Sequence, residues 1–520
     1  MAVDPPGYSA SGGERHFDAD GRIPLTVCPV TAFIGRTQRG PLNDPVSVGS
    51  FEEYRRVFGG HSPFSFLSYA VQHFFQHGGR FAVVVRVANR AIRARLELPA
   101  GEYPLRLEAH DPGSYSYLRA SVDYDGLDEE TNRFNLVVQR VARPGSQLVE
   151  DQEIFHALSV SQGDKRFVAD VLTSSGLVKP AGPFPRQRPE ATRAEHPGHP
   201  IPYIETSSTG SDGEELTDYD VIGSIDEGTG LFALDAVERV DLLCIPPEPV
   251  DRDFGITSFI AAERYCEQRK AILVWDPPAS WSSPDSALIG IRNSGFESQN
   301  ALTYYPRIWF SERNGRVRDR VPACGAIAGL LSQHDQSGVW RDLSRSDMQL
   351  KAGLSLTDSV DAHAIPLLLR SGVNCFRRNA RGFAEFVGGT SLARSRSVST
   401  LWQRLDRRRL AFFILSSVER HVASFVAGAS EGVTWSDVVQ QVGLFLDNLH
   451  RQGALAGAQP SQAFSVRAVA EPESGSRNAL LQIGFALASP GELQFFEIFE
   501  GADGISSRRT RSVEIARQTG

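Results

Sequence analysis

The chain has 520 residues, of which 41% are hydrophobic and 22% charged, with 54 Lys and Arg against 62 Asp and Glu for a net charge of −8. A molecule of this balance is not a general polyanion binder, although a basic face on one element stays compatible with it, and its mixed composition excludes collagen, coiled coil and wholesale disorder. At roughly 100–200 residues per domain the length predicts two to four domains. Acidic and basic residues through Met1–Val30 leave no apolar run for a signal peptide, and no stretch approaches the ~20 apolar residues of a membrane span. Five scattered cysteines (Cys28, Cys244, Cys266, Cys324, Cys375) without C-x-x-C spacing read as buried thiols of a cytoplasmically made protein.

In chain order, residues 1–22 are Gly-rich and polar and read as an arm. Thr26–Arg36 is an apolar run. Ser50 with Glu53 forms a capping box for a short helix, and a second helix over Ser65–His77 stops at Gly78-Gly79. Phe81–Val87 follows as a near-continuous apolar strand. Strand, helix and unalternating strand are the pattern of a parallel sheet covered on both faces. From Ala88 to Val171 the pattern becomes alternating strands (Arg93–Leu98, Tyr117–Tyr124, Phe134–Val141), and Pro180–Pro202 reads as a proline-rich surface loop.

The α/β rhythm resumes at Leu216. Val240–Ile245 and Ala271–Trp275 are strands flanking a helix at Gly255–Arg269; Pro284–Asn293 and Cys324–Gln333 are helices with a strand at Leu302–Phe310 between them. Thr400–Ala427 reads as one long helix. Apolar residues from Trp435 to Leu449 recur at 3.6-residue spacing, so Thr434–Arg451 is amphipathic. Three strands follow at Phe464–Val469, Leu480–Leu487 and Leu493–Phe499, and the last twenty residues read as a loose tail.

Motifs for chemistry are sparse. There is no phosphate-binding glycine loop and no dinucleotide fingerprint. His73 and His77 have metal-ligand spacing without the intervening Glu of a zinc hydrolase and read as a polar helix end. Asp123–Gly126 lacks calcium-loop spacing. Arg404, Arg407, Arg408 and Arg409 form either a solvated helix face or a site for an acidic partner. Gly388-Gly389-Thr390-Ser391-Leu392-Ala393 looks like the serine box of subtilisin-type proteases, but no D-T-G or H-G-T box accompanies it and a serine nucleophile needs its histidine base. An α/β serine hydrolase using Ser391 or Asp276 is the alternative reading. No cofactor or metal is expected.

The order of segments resembles the sheath proteins of contractile phage tails and contractile injection systems. The likeness runs over most of the chain: Val30–Arg36 with Arg39-Gly40-Pro41 and Pro45-Val46; Tyr69-Ala70-Val71 to Gly78-Gly79-Arg80; Asp220–Gly223 to Leu231–Leu234; Val240–Pro246; Cys266–Pro278; Tyr304-Tyr305-Pro306; Gly338-Val339-Trp340; Gly372-Val373-Asn374; and Arg451–Gly457. The family's usual opening strand is reduced here to Pro6-Gly7-Tyr8, and the chain continues well past its last expected strand.

The resemblance implies an α/β core of subtilisin-like but non-catalytic type with an inserted β-rich domain, an α+β C-terminal domain and extended N- and C-terminal arms. The layout is an arm at 1–22, core at 23–88, insertion and proline-rich loop at 89–215, core again at 216–395, a C-terminal domain at 396–500 and a tail at 501–520. It implies a structural, non-enzymatic subunit. Such a subunit stacks as hexameric rings around an inner tube, meets baseplate and terminator proteins, and contracts to drive the tube through an envelope. Neither direct nucleic-acid binding nor membrane insertion is expected, and assembly would take place in the bacterial cytoplasm. A non-contractile baseplate component with the same fold is a further reading. Subunit linkage by strand addition falls on Pro6, Gly7 and Tyr8 of the N-terminal arm and on Leu493, Phe495, Phe496 and Ile498 of the last expected strand. The polar face of the amphipathic helix, with Asp437, Gln441, Asn448 and Arg451, is the expected tube contact.

Overall fold

A computed structural model describes residues 23–25, 28–62, 64–128, 131–192, 202–249, 252–311, 318–343, 348–351, 353–393, 400–427, 434–468, 479–487, 492–501 and 504–510. The chain divides into two units. One comprises Met1–Phe33, Tyr69–Val83 and Glu238–Gly520; the other comprises Ile34–Ser68 and Val84–Val237. The N-terminal arm residues Pro6, Gly7 and Tyr8 lie outside the described residues.

The first unit is built on a mostly parallel sheet. Seven of the sheet's eight strands are β1 (Thr31–Gly35), β2 (Ala82–Arg86), β3 (Leu242–Cys244), β4 (Ile272–Trp275), β5 (Ala301–Tyr305), β6 (Asn374–Arg378) and β7 (Ala384–Val387), in the order β7-β6-β5-β4-β3-β1-β2, and Val46–Val48 is the eighth, next to β2. β1, β3, β4, β5 and β6 run parallel, with Phe33 opposite Cys244 and Val274 opposite Leu302, and β7 runs antiparallel to β6. Every residue of β3, β4 and β5 is buried, which explains why their sequences are apolar runs without alternation. The strand expected over Leu302–Phe310 is two strands, β5 and Ile308–Ser311, divided at Pro306, a residue with no N–H to give a ladder.

Helices α1 (Leu67–Gln76), α2 (Ile256–Arg269), α3 (Pro284–Ser294) and α4 (Cys324–Asp335) accompany these strands. Ser283 accepts from the Ser286 amide and Pro284 opens α3, a start signal of side-chain cap plus proline. Gly325 and Gly329 of α4 face the α1 backbone so closely that a Cβ at either would run into the carbonyls of Ala70 and Phe74. Glycine permits that approach because it brings no side chain.

The C-terminal part of the same unit holds α5 (Leu405–Val426), α6 (Trp435–Arg451) and an antiparallel sheet of β8 (Phe464–Ala468), β9 (Ala479–Ala486), β10 (Leu493–Gly501) and β11 (Gly504–Thr510), ordered β8-β9-β10-β11. Leu410, Ile414 and Val418 of α5, Val442 and Phe445 of α6, and Ile483, Phe485 and Ile498 of the sheet share one core. The single helix expected over Thr400–Ala427 is interrupted at Arg404, whose backbone is extended.

Three arginines of the Arg404–Arg409 run, Arg404, Arg408 and Arg409, are engaged within the chain rather than forming a purely solvated face. Arg404 pairs with Asp406 and Asp342 at 2.8 Å, and Arg408 donates from Nε and Nη2 to Asn300 Oδ1 at 2.9 and 2.7 Å. Arg409 is ion-paired with Asp335, and Lys270 reaches Glu419 at 2.8 Å. These arginines fasten α5 to the parallel-sheet core.

The second unit is mainly antiparallel. Ile204–Glu205, Leu118–Asp123, Arg133–Val141 and Val149–Ser159 form one sheet, and Arg95–Leu98, Leu105–Ala109 and Val178–Pro180 another. Leu96, Leu107, Ala120, Leu136 and Val178 are among the residues of their common core. Two of these strands, Leu105–Ala109 and Val149–Ser159, carry too much charge to stand out in the sequence. Asp123 and Asp125 form a strand end and turn, the Asp125 amide donating to Asp123 Oδ1 at 3.0 Å. The Arg86 guanidinium is buried, donates to the Gly40 carbonyl at 2.7 Å, and is balanced by Asp111 and Asp212.

Candidate functional site

The described residues expected to hold other chains lie on β10 and α6. β10 alternates cleanly. Gln494, Phe496 and Ile498 turn inward and are buried, while Leu493, Phe495 and Glu497 on the opposite face are half-buried. The Phe496 ring stacks on Phe485 at 5.2 Å and meets Trp402 edge-on at 6.4 Å. Leu493, Phe495, Phe496 and Ile498 are therefore brought onto one strand, but that strand has no free edge. β9 pairs along one side (Phe496 opposite Ile483) and β11 along the other (Phe496 opposite Arg509).

β11 corrects the expectation of a loose tail from residue 501, at least as far as Thr510. It is held by cross-strand pairing of side chains as well as by its ladder. Arg508 bridges to Glu497 at 2.8 Å, and Arg509 donates to Gln494 Oε1 at 2.5 Å with its guanidinium over Trp402. Such cross-strand pairs are how an edge strand of modest hydrophobicity is retained. Among the described residues the open edges of this sheet belong to β8 and β11. Residues 511–520 lie outside the described part.

Helix α6 begins with a reciprocal capping box: Thr434 N and Oγ1 donate to Asp437 Oδ2 at 2.8 and 2.7 Å. The Thr434 amide holds the Asp437 carboxyl below its ordinary pKa, so this residue already has a structural task. Val438, Val442, Phe445, Leu446 and Leu449 face inward. Gln441 and Asn448 are half-buried, while Arg451 is exposed and bridges to Asp447 at 2.6 Å. The most outward stripe is Gln440, Leu444 and Arg451, with Leu444 50% exposed. Leu444 is an apolar side chain on the otherwise polar side of an amphipathic helix.

The groups that suggested chemistry are placed differently. Ser391 is fully buried, its amide donates to the Gln403 carbonyl at 2.7 Å, and its Oγ accepts from the Ala393 amide at 3.4 Å. A nucleophile must reach its substrate and its base, and Ser391 reaches neither; His363 is an exposed residue held to Asp361. Asp276 ends β4 and caps α4, its Oδ1 accepting from the Ala323 and Cys324 amides at 2.8 and 2.9 Å. Burial pushes its pKa up to about 6, against the pull of those hydrogen bonds and of Arg307.

His73 and His77 are completely buried. His77 Nδ1 donates to the His73 carbonyl at 2.7 Å and Nε2 accepts from the Lys351 amide at 3.0 Å. This arrangement fixes the neutral tautomer, and burial holds the pKa down at about 4. Among the described residues no group of three or more His, Cys, Asp or Glu side chains is placed to hold a metal, and no helix is long and apolar enough to cross a membrane.

No family model and no curated protein sequence matches the chain. Solved structures do. A sheath tail protein from Listeria innocua superposes with a TM-score of 0.60 at 12% identity, over 94% of this chain and 96% of that one. A sheath tail protein from Desulfitobacterium hafniense gives 0.54 at 11%, over 94% and 97%. The PVC sheath complex of an extracellular contractile injection system, in its contracted state, gives 0.50 at 13%, over 90% of each chain. The chain thus has the mixed α/β fold of contractile sheath proteins.

Proposed function

We propose that this chain is the structural subunit of a contractile sheath, stacking as hexameric rings around an inner tube and shortening to drive that tube through a target envelope. The observation that carries the reading is the end-to-end match, more than nine-tenths of both chains, to sheath tail proteins from two bacteria. On this reading the parallel-sheet core is a subtilisin-like body used as a rigid brick, flanked by the β-rich insertion and the C-terminal domain. The energy for shortening lies in interfaces, since the sequence holds no nucleotide-binding loop. Its partners are its own copies, the tube, and the baseplate and terminator proteins. The particle is a phage tail or tail-like device assembled in the bacterial cytoplasm.

Linkage between copies uses strand addition at the C-terminal sheet. Leu493, Phe495, Phe496 and Ile498 form the fixed strand, and the edge covered by β11 within one chain is where a strand can be exchanged with a neighbour. Pro6, Gly7 and Tyr8 supply the arm at the other end. Asp437, Gln441, Asn448 and Arg451, with the exposed Leu444 between them, face the tube. Electron microscopy of the purified chain is expected to show cross-striated hollow cylinders. Removal of residues 504–520 is expected to abolish them while leaving a folded, monodisperse protein. Cylinders that persist after that deletion overturn the linkage. A full-length chain that yields only small particles, with its tube protein present, overturns the sheath reading.

A further inference from the structure

Two surface features, one on each unit, have no part in the surfaces above. The first is an open groove of about 1320 Å³ in the first unit. Leu330, Trp340, Met348, Leu350 and Phe383 give it apolar walls. Met348 and Leu350 are fixed along β7, the Phe386 amide donating to the Met348 carbonyl at 2.9 Å and the Leu350 amide to the Ala384 carbonyl at 2.8 Å. Trp340 packs against the core shared by α5, α6 and the C-terminal sheet. Among the described lining residues the one carboxylate, Asp342, is paired with Arg404. Arg341 and Lys351 are exposed, and neither pairs with a carboxylate among the described residues. The groove therefore offers two open cations beside apolar walls.

The second is the stretch 212–227 of the other unit, which has seven carboxylates and no Lys or Arg. It is a folded knob. Thr217 and Asp220 cap the helix Asp218–Ile222 reciprocally, the Thr229 amide closes the following turn on the Ser224 carbonyl at 3.0 Å, and the Gly230 amide donates to Asn43 Oδ1 at 3.0 Å. Tyr219 and Ile225 protrude from it, 84% and 69% exposed, more than any other large apolar side chain among the described residues. Asp212, Glu214 and Asp220 are engaged within the chain, with Ser114, Arg90 and Thr217. Asp226 and Glu227, next to Ile225, are exposed and pair with no cation among the described residues. Two open carboxylates beside protruding apolar side chains complement the groove in both sign and apolarity. Interfaces combine such an apolar centre with charge pairs that select the partner. The groove exceeds the roughly 300–1,000 Å³ of small-molecule pockets and suits a stretch of polypeptide.

We infer that the 212–227 knob of one copy docks in the groove of another, Tyr219 and Ile225 against its apolar walls and Asp226 and Glu227 against Arg341 and Lys351. That the partner is a second copy rests on the assembly reading above. The contact joins two different surfaces of the chain, and a heterologous contact repeats into rings or helical arrays rather than into twofold pairs.

Carbodiimide cross-linking of full-length protein, isotope-labelled and unlabelled chains mixed, tests the contact without any substitution. Mass spectrometry is expected to find Lys351 joined to Asp226 or Glu227 in peptide pairs of mixed label, which only two different chains can give. Charge exchange gives a second route. Arg341→Glu with Lys351→Glu, and separately Asp226→Lys with Glu227→Lys, alter exposed positions and are each expected to weaken self-association at least tenfold in sedimentation velocity. Combining all four substitutions should restore it. Absence of mixed-label links at Lys351, or a combined variant no better than the separate ones, overturns the contact. Cylinders that form without these links leave the sheath reading standing and overturn the contact alone. Mixed-label links and a restoring exchange in a chain that never forms cylinders uphold the contact and overturn the sheath reading.

Discussion

Arg409 and Asp335 form a buried ion pair between α5 and the last turn of α4, their side chains 5% and 7% exposed. A carboxylate at a helix C-terminus opposes the macrodipole, so Asp335 depends on this arginine twice over, for its charge and for its position. Arg409→Ala is expected to destabilise the protein by about 3–5 kcal/mol, because it strands a buried charge. The pair Arg409→Met with Asp335→Asn should recover most of that loss. Denaturation midpoints of the three proteins check both statements.

Helix contact by glycine gives a second test. Gly325→Ala puts a methyl against the Ala70 backbone, which cannot yield as a flexible side chain would, and is expected to cost at least ~2 kcal/mol through overpacking. Gly443 lies mid-helix in α6 with open space where a Cβ would stand. Gly443→Ala should therefore stabilise by about 0.5–1 kcal/mol from helix propensity. Thermal and urea unfolding of the two variants should move in opposite directions.

Acid should weaken the fold through two histidines. His77 and His421 are each held down at about 4 by burial, below the value of roughly 6.5 in an unfolded chain. The folded state keeps them neutral where the unfolded state takes up protons. The stability they contribute is complete above pH 6.5 and is lost as pH falls through 4, at up to about 1.4 kcal/mol per pH unit for each histidine. The stability difference between wild type and His77→Gln, measured at pH 7.0, 5.5 and 4.5, is expected to shrink as pH falls.

The outward stripe of α6 separates folding from binding. Leu444→Glu and Arg451→Gln alter exposed positions and are expected to leave stability within about 0.5 kcal/mol. Co-sedimentation with the tube protein should fall at least tenfold if this face makes the contact. Unaltered co-sedimentation in the double variant would remove α6 from the tube interface.

Ser391→Ala is expected to leave assembly unchanged, because the hydroxyl is sealed inside the core. Cylinder length and number in electron micrographs measure it.

What the sequence by itself determined is what nearest neighbours encode. The apolar runs at β1, β3 and β4 matched the pattern of doubly covered parallel strands, and the 3.6-residue repeat from Trp435 to Leu449 marked the buried side of α6. Partners distant in the chain were illegible. A run of arginines on a helix looks like a wet surface until the fold brings Asp335, 74 positions earlier, against Arg409. β11 has little hydrophobic alternation and stays in place through Glu497 and Gln494 of the strand beside it. That pairing covers the edge of β10, which in sequence looked like the end of the sheet. The serine box shows the same division: its residues were readable, but only tertiary packing put Ser391 out of reach, because accessibility belongs to the surrounding layers and not to the motif.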